Sequence, residues 1–149
     1  MFLILRFLFG LVLFITCLSY GQVRTVTGKI VGEDELTPLI NVSIRSIDTI
    51  QLGVTDINGN FTVELPAGTN QLLLSALAME WTLIKILPSC TNLEIIMLID
   101  GHHDFMTLRK ENRIRHRYFK NREKLHLAAY QKRIFTADSP CFTYIFQKY

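Results

Sequence analysis

Between residues 23 and 99 the chain breaks into seven short apolar runs, none longer than nine residues, separated by Gly, Pro, Asn, Asp or Glu. The runs are 23–31, 39–47, 51–55, 61–65, 72–77, 81–87 and 93–99. They are rich in Val, Ile, Thr and Phe, which suit a pleated surface better than a helix. Phe61, Val63 and Leu65 alternate with Thr62 and Glu64, the period of a strand with one buried face. Val42 and Ile44 alternate in the same way with Ser43 and Arg45. Strands this short cannot bury a face alone, so the pattern requires two sheets packed together. The expected core is Val26, Ile30, Val42, Ile44, Phe61, Val63, Leu73, Ile84, Ile86, Ile95 and Met97. Asp56-Ile57-Asn58-Gly59-Asn60 carries the strongest short hairpin signal, because Asn and Gly both tolerate positive φ. Asp56, Asn58 and Asn60 also offer oxygens to a calcium ion. The bidentate acid that such a loop needs is missing, so Asp56, Asn58 and Gly59 are assigned to turn chemistry.

The flanking segments have other compositions. Met1 to Cys17 is nearly all apolar, broken by Arg6 and Gly10, and the run from Phe7 to Leu18 is too short to span a bilayer comfortably. With Ser19 and Gly21 at −3 and −1, residues 1–21 fit a secretory leader cleaved before Gln22. The alternative is a leader retained as an anchor. Cleavage would remove Cys17 and leave Cys90 and Cys141, which can form one disulfide in an oxidising compartment or stay as separate thiols. Residues 22–100 hold four Lys/Arg against nine Asp/Glu, whereas residues 101–149 hold eleven against four. This asymmetry sets a boundary near Gly101.

Residues 101–149 read as a basic helical tail with an aromatic end. Asp104 is the expected cap. Ile114, Tyr118, Leu125 and Ala129 form an apolar stripe at helical spacing, on one long helix or on two that break near Asn121. Arg109, Arg113, Arg117, Lys120 and Lys124 form the corresponding candidate interaction face. Asp138-Ser139-Pro140 is the expected stop, and Phe142, Tyr144 and Phe146 then alternate as a last strand or an extended aromatic clip. Two arrangements are open: the tail docks on its own sandwich, or the same stripe binds a separate partner. Hydrophobic burial would dominate either one.

Three stretches resemble the carboxypeptidase-regulatory-like domain: Gly28-Lys29-Ile30-Val31, then Thr37-Pro38-Leu39-Ile40-Asn41-Val42-Ser43-Ile44, then Thr55-Asp56-Ile57-Asn58-Gly59-Asn60-Phe61. The resemblance covers residues 23–100 and not the tail. It implies an all-β, seven-stranded, transthyretin-like (prealbumin-like) sandwich, of a kind abundant in exported proteins of Bacteroidetes-type bacteria and often found ahead of TonB-dependent receptors. The chain carries Ser75-Ala76-Leu77-Ala78-Met79 where the family commonly has Ser-x-x-Gly-Tyr.

Catalysis finds little support in the sequence. Residues 22–100 contain no histidine; all four (His102, His103, His116, His126) lie in the tail. A Ser-His-Asp or Cys-His site inside the sandwich is thereby excluded, and no His-x-x-Glu zinc pair or Gly-rich phosphate loop occurs. No catalytic residue, metal or cofactor is assigned. The expectation is an exported, non-catalytic module of the cell envelope, periplasmic, outer-membrane associated or secreted, whose partner is an envelope protein or its own tail. A purely structural envelope protein with a self-docked tail, or a detached extension related to TonB-dependent receptors, are the alternatives. The tail has no nucleic-acid motif, export argues against nucleic acid as a partner, and no membrane span is expected after cleavage.

Overall fold

The structure, a computed structural model, describes residues 23–101 and 106–148. The leader, the cleavage point before Gln22, His102, His103 and Asp104 lie outside the described residues. Eight strands form two sheets. They are β1 (Arg24–Gly32), β2 (Ser43–Ser46), β3 (Gln51–Val54), β4 (Asn60–Leu65), β5 (Gln71–Ser75), β6 (Thr82–Ile86), β7 (Asn92–Met97) and β8 (Phe142–Ile145). One helix, α1 (Leu108–Gln131), comes between β7 and β8. One sheet has the order β4-β1-β7 and the other β3-β2-β5-β6-β8. Seven of the strands among the described residues lie in 23–97, and the eighth is the last strand, one of the two forms expected of the aromatic end. The tail supplies it, pairing Phe142 with Ile86 and Tyr144 with Ile84. The boundary near Gly101 separates two charge blocks, and packing crosses it.

The main core lies between the sheets. Val26 and Ile30 of β1, Phe61, Val63 and Leu65 of β4, and Leu93, Ile95 and Met97 of β7 face Ile44, Leu72, Leu74, Ile84, Ile86 and Phe142 of the other sheet. Strand β7 is buried on both faces from Leu93 onward. Its outward Ile96 joins Val31, Leu36, Ala129 and Phe135 in a second cluster beneath α1. The layers are therefore a five-stranded sheet, a three-stranded sheet and, over the latter, the helix.

Two expectations about the strands change. Leu73 is only partly buried, while Leu72 and Leu74 are fully enclosed, because Leu73 pairs with Arg45 and Leu83 on the outer face. A continuous leucine run hides the parity that alternation would reveal. Leu77 lies beyond the end of β5 and is 97% exposed. The Asn58-Gly59 turn forms, but it joins strands of different sheets and so makes a corner instead of a hairpin.

The chemistry of this corner accounts for the Thr-Asp-x-x-Gly-x-Phe stretch. The Thr55 hydroxyl accepts from the Val42 N–H at 2.9 Å and donates to the Leu39 carbonyl at 2.6 Å. Asp56 Oδ1 accepts from the N–H groups of Asn58 and Asn60 at 2.9 and 2.8 Å, as in an Asx turn. Gly59 has φ +73°, and its carbonyl accepts from the Ile30 N–H at 2.8 Å. The Phe61 ring lies over its cross-strand partner Gly28, where a Cβ would come within 2.6 Å of the ring.

Helix α1 is continuous through Asn121 and about 36 Å long at 1.5 Å per residue. It begins after Thr107 and ends before the expected stop at Asp138. Arg133 takes φ +60° and donates to the Tyr130 carbonyl, and Ile134 donates to the Ala129 carbonyl. That double return satisfies the last carbonyls of the helix without a glycine or a proline.

Two substitutions test this register. Phe61→Ala should lower stability by about 3–5 kcal/mol, the range for an emptied aromatic core site. Gly59→Ala should cost more than about 1–2 kcal/mol, the penalty of its left-handed backbone, because a Cβ there would come within 2.5 Å of the Ile30 carbonyl oxygen. Denaturant melts of both variants that overlay the wild type would refute the assignment.

Candidate functional site

Among the described residues, charged and aromatic side chains gather where the tail meets the sandwich. The buried positions of α1 are Arg115, Arg122, His126 and Ala129. The stripe expected from apolar spacing is therefore rotated. Tyr118 is 50% exposed, Ile114 and Leu125 are partly buried, and only Ala129 is enclosed. The surface that receives the helix explains the rotation. It presents aromatic rings and carbonyl and carboxylate oxygens, which suit a planar guanidinium on an apolar stem better than an isoleucine.

Arg122, 4% exposed, lies with its guanidinium carbon 4.5 Å from the Tyr144 ring centre and 5.1 Å from that of Phe119. Its Nη2 donates to Thr82 Oγ1 at 3.3 Å, and its Nε has no partner. Burial lowers the Arg122 pKa from its ordinary value, and the neighbouring Arg115 adds to this; Tyr144, Glu80 and Glu33 oppose it. Arg115 pairs with Glu80, donates to the Gln147 carbonyl at 3.0 Å and lies 5.5 Å from the Phe146 ring centre. Burial pushes the Tyr144 hydroxyl up to about 12, so it stays protonated while accepting from the Ile96 N–H at 2.8 Å.

The chain leaving the helix is held by Glu94. Its carboxylate accepts from Thr136 N–H at 2.6 Å, Thr136 Oγ1 at 2.8 Å and Ala137 N–H at 3.0 Å. His126, 1% exposed, has Nε2 3.2 Å from the Ala137 carbonyl. A carbonyl only accepts, so Nε2 carries the proton and the neutral ring leaves Nδ1 as a bare acceptor without a partner. Burial lowers the His126 pKa, against the Ala137 carbonyl, Glu94 and Asp138. A disulfide joins Cys141 to Cys90, with Cα atoms 5.6 Å apart, at the start of β8.

Two hollows border this seam. One, of about 800 Å3, opens between α1 and β8. The free nitrogens of Arg122 and His126 are closed off from solvent, so its polar rim is Lys120, Glu123, Asp138, Ser139 and Thr143. The other, of about 400 Å3, is ringed by Glu33, Asp34, Glu80 and Asp100 with Arg115 between them. Glu80 is paired with Arg115, and Glu33 accepts from the Ile99 N–H.

The residues singled out from sequence fall in three places. Asp56, Asn58 and Gly59 form the corner between the sheets. Cys90 and Cys141 meet at the root of β8. Arg109, Arg113, Arg117, Lys120 and Lys124 are all exposed on the outer side of α1 and, among the described residues, make no ion pair. Arg115, Arg122, His126, Glu80 and Glu94 were missed. Arg115, Arg122 and His126 do stand seven and four residues apart, which is helical spacing, but a search for apolar stripes passes over them. No family model matches the chain, and a search of curated proteins finds no match.

The seam generates two predictions. Arg122 has no carboxylate partner, so Arg122→Met should leave stability within about 1 kcal/mol of wild type. Arg115→Met strands the Glu80 carboxylate and should cost about 1–3 kcal/mol. Chemical denaturation measures both, and a larger loss at Arg122 would assign the stability of the seam to the stacked cation. For His126, a pKa lowered by burial from the ordinary histidine value of about 6.5 means that the folded chain binds fewer protons than the unfolded chain just below that pH. Its contribution is therefore full above about pH 6.5 and is lost as the pH falls through the folded-state value. His126→Gln removes that titration, and the other histidines are common to both chains. The melting temperature of the variant should fall less than that of wild type between about pH 7.5 and 5.5.

Proposed function

We propose that the chain is an exported, non-catalytic β-sandwich module of the bacterial cell envelope, of the transthyretin-like, carboxypeptidase-regulatory-like kind, serving as a binding or accessory protein. The observation that carries this reading is the Cys90–Cys141 disulfide. Such bridges persist in oxidising compartments and are rare in a reducing cytosol, which agrees with the secretory leader read from residues 1–21. The bridge closes a separation of 51 residues and ties the tail to the turn before β7. The polar groups of the seam support a non-catalytic reading. Glu80 neutralises Arg115, Glu94 holds the 136–137 backbone, and Tyr144 caps the Ile96 N–H. On this reading the sandwich is a scaffold, and the exposed cations of α1 are its binding face. Docking of α1 and β8 on the sandwich also favours the purely structural alternative, in which the tail serves only the fold.

Expression of the full chain with its own leader tests export. Cell fractionation and intact-mass analysis under thiol trapping should find an envelope or secreted species that begins at Gln22, with Cys90 and Cys141 protected. Cys90→Ser/Cys141→Ser should lose about 2–4 kcal/mol of stability. A cytosolic product that retains Met1 and has Cys90 and Cys141 as free thiols would overturn the proposal.

A further inference from the structure

We propose that the outer ridge of α1 docks on the anionic headgroup face of a phospholipid bilayer. This deepens the binding-module reading by naming the partner class, and it rests on that reading. Six exposed cations make the ridge: Arg109, Lys110, Arg113, Arg117, Lys120 and Lys124. At about 100° per residue they occupy one sector of about 100°, and Glu111 and Glu123 fall outside it. Among the described residues none of the six makes an ion pair, so their charge is uncompensated.

Geometry leaves room for a flat occupant. The ridge lies on the opposite side of the helix from Arg115, Arg122, His126 and Ala129, which face the sandwich. A surface can therefore approach with the acidic sandwich held behind the helix. From Arg109 to Lys124 the ridge runs straight for about 22 Å at 1.5 Å per residue. One hollow of about 470 Å3 opens along it, bordered by Arg117, Lys120 and Lys124 together with Ile114, Tyr118 and Asn121. Exposed Leu127 continues the ridge beyond Lys124, in line with Arg109 on the same helix face. A row of four to eight cations on a helix with apolar side chains at its margin is the pattern that anionic headgroups attract.

The test uses the full chain and sedimentation with vesicles of phosphatidylcholine alone or mixed with phosphatidylglycerol. The ratio of binding to the two compositions cancels any contribution of the apolar leader. Wild type should prefer the anionic vesicles, and salt should erode that preference. Arg113→Gln/Arg117→Gln/Lys120→Gln should reduce it about a hundredfold. Lys29→Gln/Lys85→Gln/Lys148→Gln removes the same charge away from the ridge and should keep most of it. Equal loss in both triple variants, or no preference in wild type, would overturn the proposal. Tighter binding to soluble polyglutamate than to anionic vesicles, per unit of charge, would assign the ridge to an acidic protein and overturn it too. An envelope-localised chain with its disulfide closed but no anionic preference would sink the lipid surface alone and leave the exported module standing.

Discussion

One side chain, Tyr144, meets all three layers. Its backbone belongs to β8, the last strand of the five-stranded sheet. Its hydroxyl accepts the Ile96 N–H on the open edge of β7, the last strand of the other sheet. Its ring lies beneath the Arg122 guanidinium and stands edge-on to Phe119 and Phe142. An unpaired edge N–H in this enclosed position would cost about 1–3 kcal/mol, so the hydroxyl settles how β8 sits against β7. Once β8 is placed, the helix that precedes it has little freedom. Glu94 fixes the chain at Thr136 and Ala137, and Cys141 is bonded to Cys90.

Charge on the tail is sorted by what each cation meets. Arg115 finds a carboxylate, and Arg122 finds two rings and one hydroxyl. The cations a half-turn away find only solvent. Net attraction between the acidic and basic halves is a weak guide to such docking, because exposed pairs contribute about 0–1 kcal/mol each. The second cluster, in which Ala129 and Phe135 cover Val31 and Ile96, contributes more through apolar burial. Long-range charge complementarity steers the encounter, and apolar burial with the disulfide holds it.

These distinctions explain what could be read in the sequence. The strands were legible because period-two alternation and Gly, Pro and Asn punctuation are local. At Leu72, Leu73 and Leu74 local alternation is absent, and only cross-strand partners decide which side is in. The helix was legible as a helix, but its buried face was not. An arginine scores as a surface residue until a ring is known to lie opposite, and the rings at Phe119, Tyr144 and Phe146 come together only once β8 is added to the sheet. The helix end escaped for a similar reason. Arg133 takes a glycine-like φ because the following chain must turn back to Glu94, a long-range demand that outweighs a local preference.

The Thr-Asp-x-x-Gly-x-Phe stretch bears on where function resides. Thr55 bridges Leu39 and Val42, Asp56 closes its own turn, Gly59 supplies the positive φ and Phe61 fills the core beside Gly28. Thr55, Asp56, Gly59 and Phe61, the defining residues of this stretch, are thus occupied in building the corner between the sheets. Such a motif reports on architecture, and one architecture can host many functions. The outer cations of α1 are left uncommitted by the fold, and they belong to the tail, which the resemblance does not cover. On the binding-module reading proposed above, those cations make residues 106–148 the first place to seek a partner.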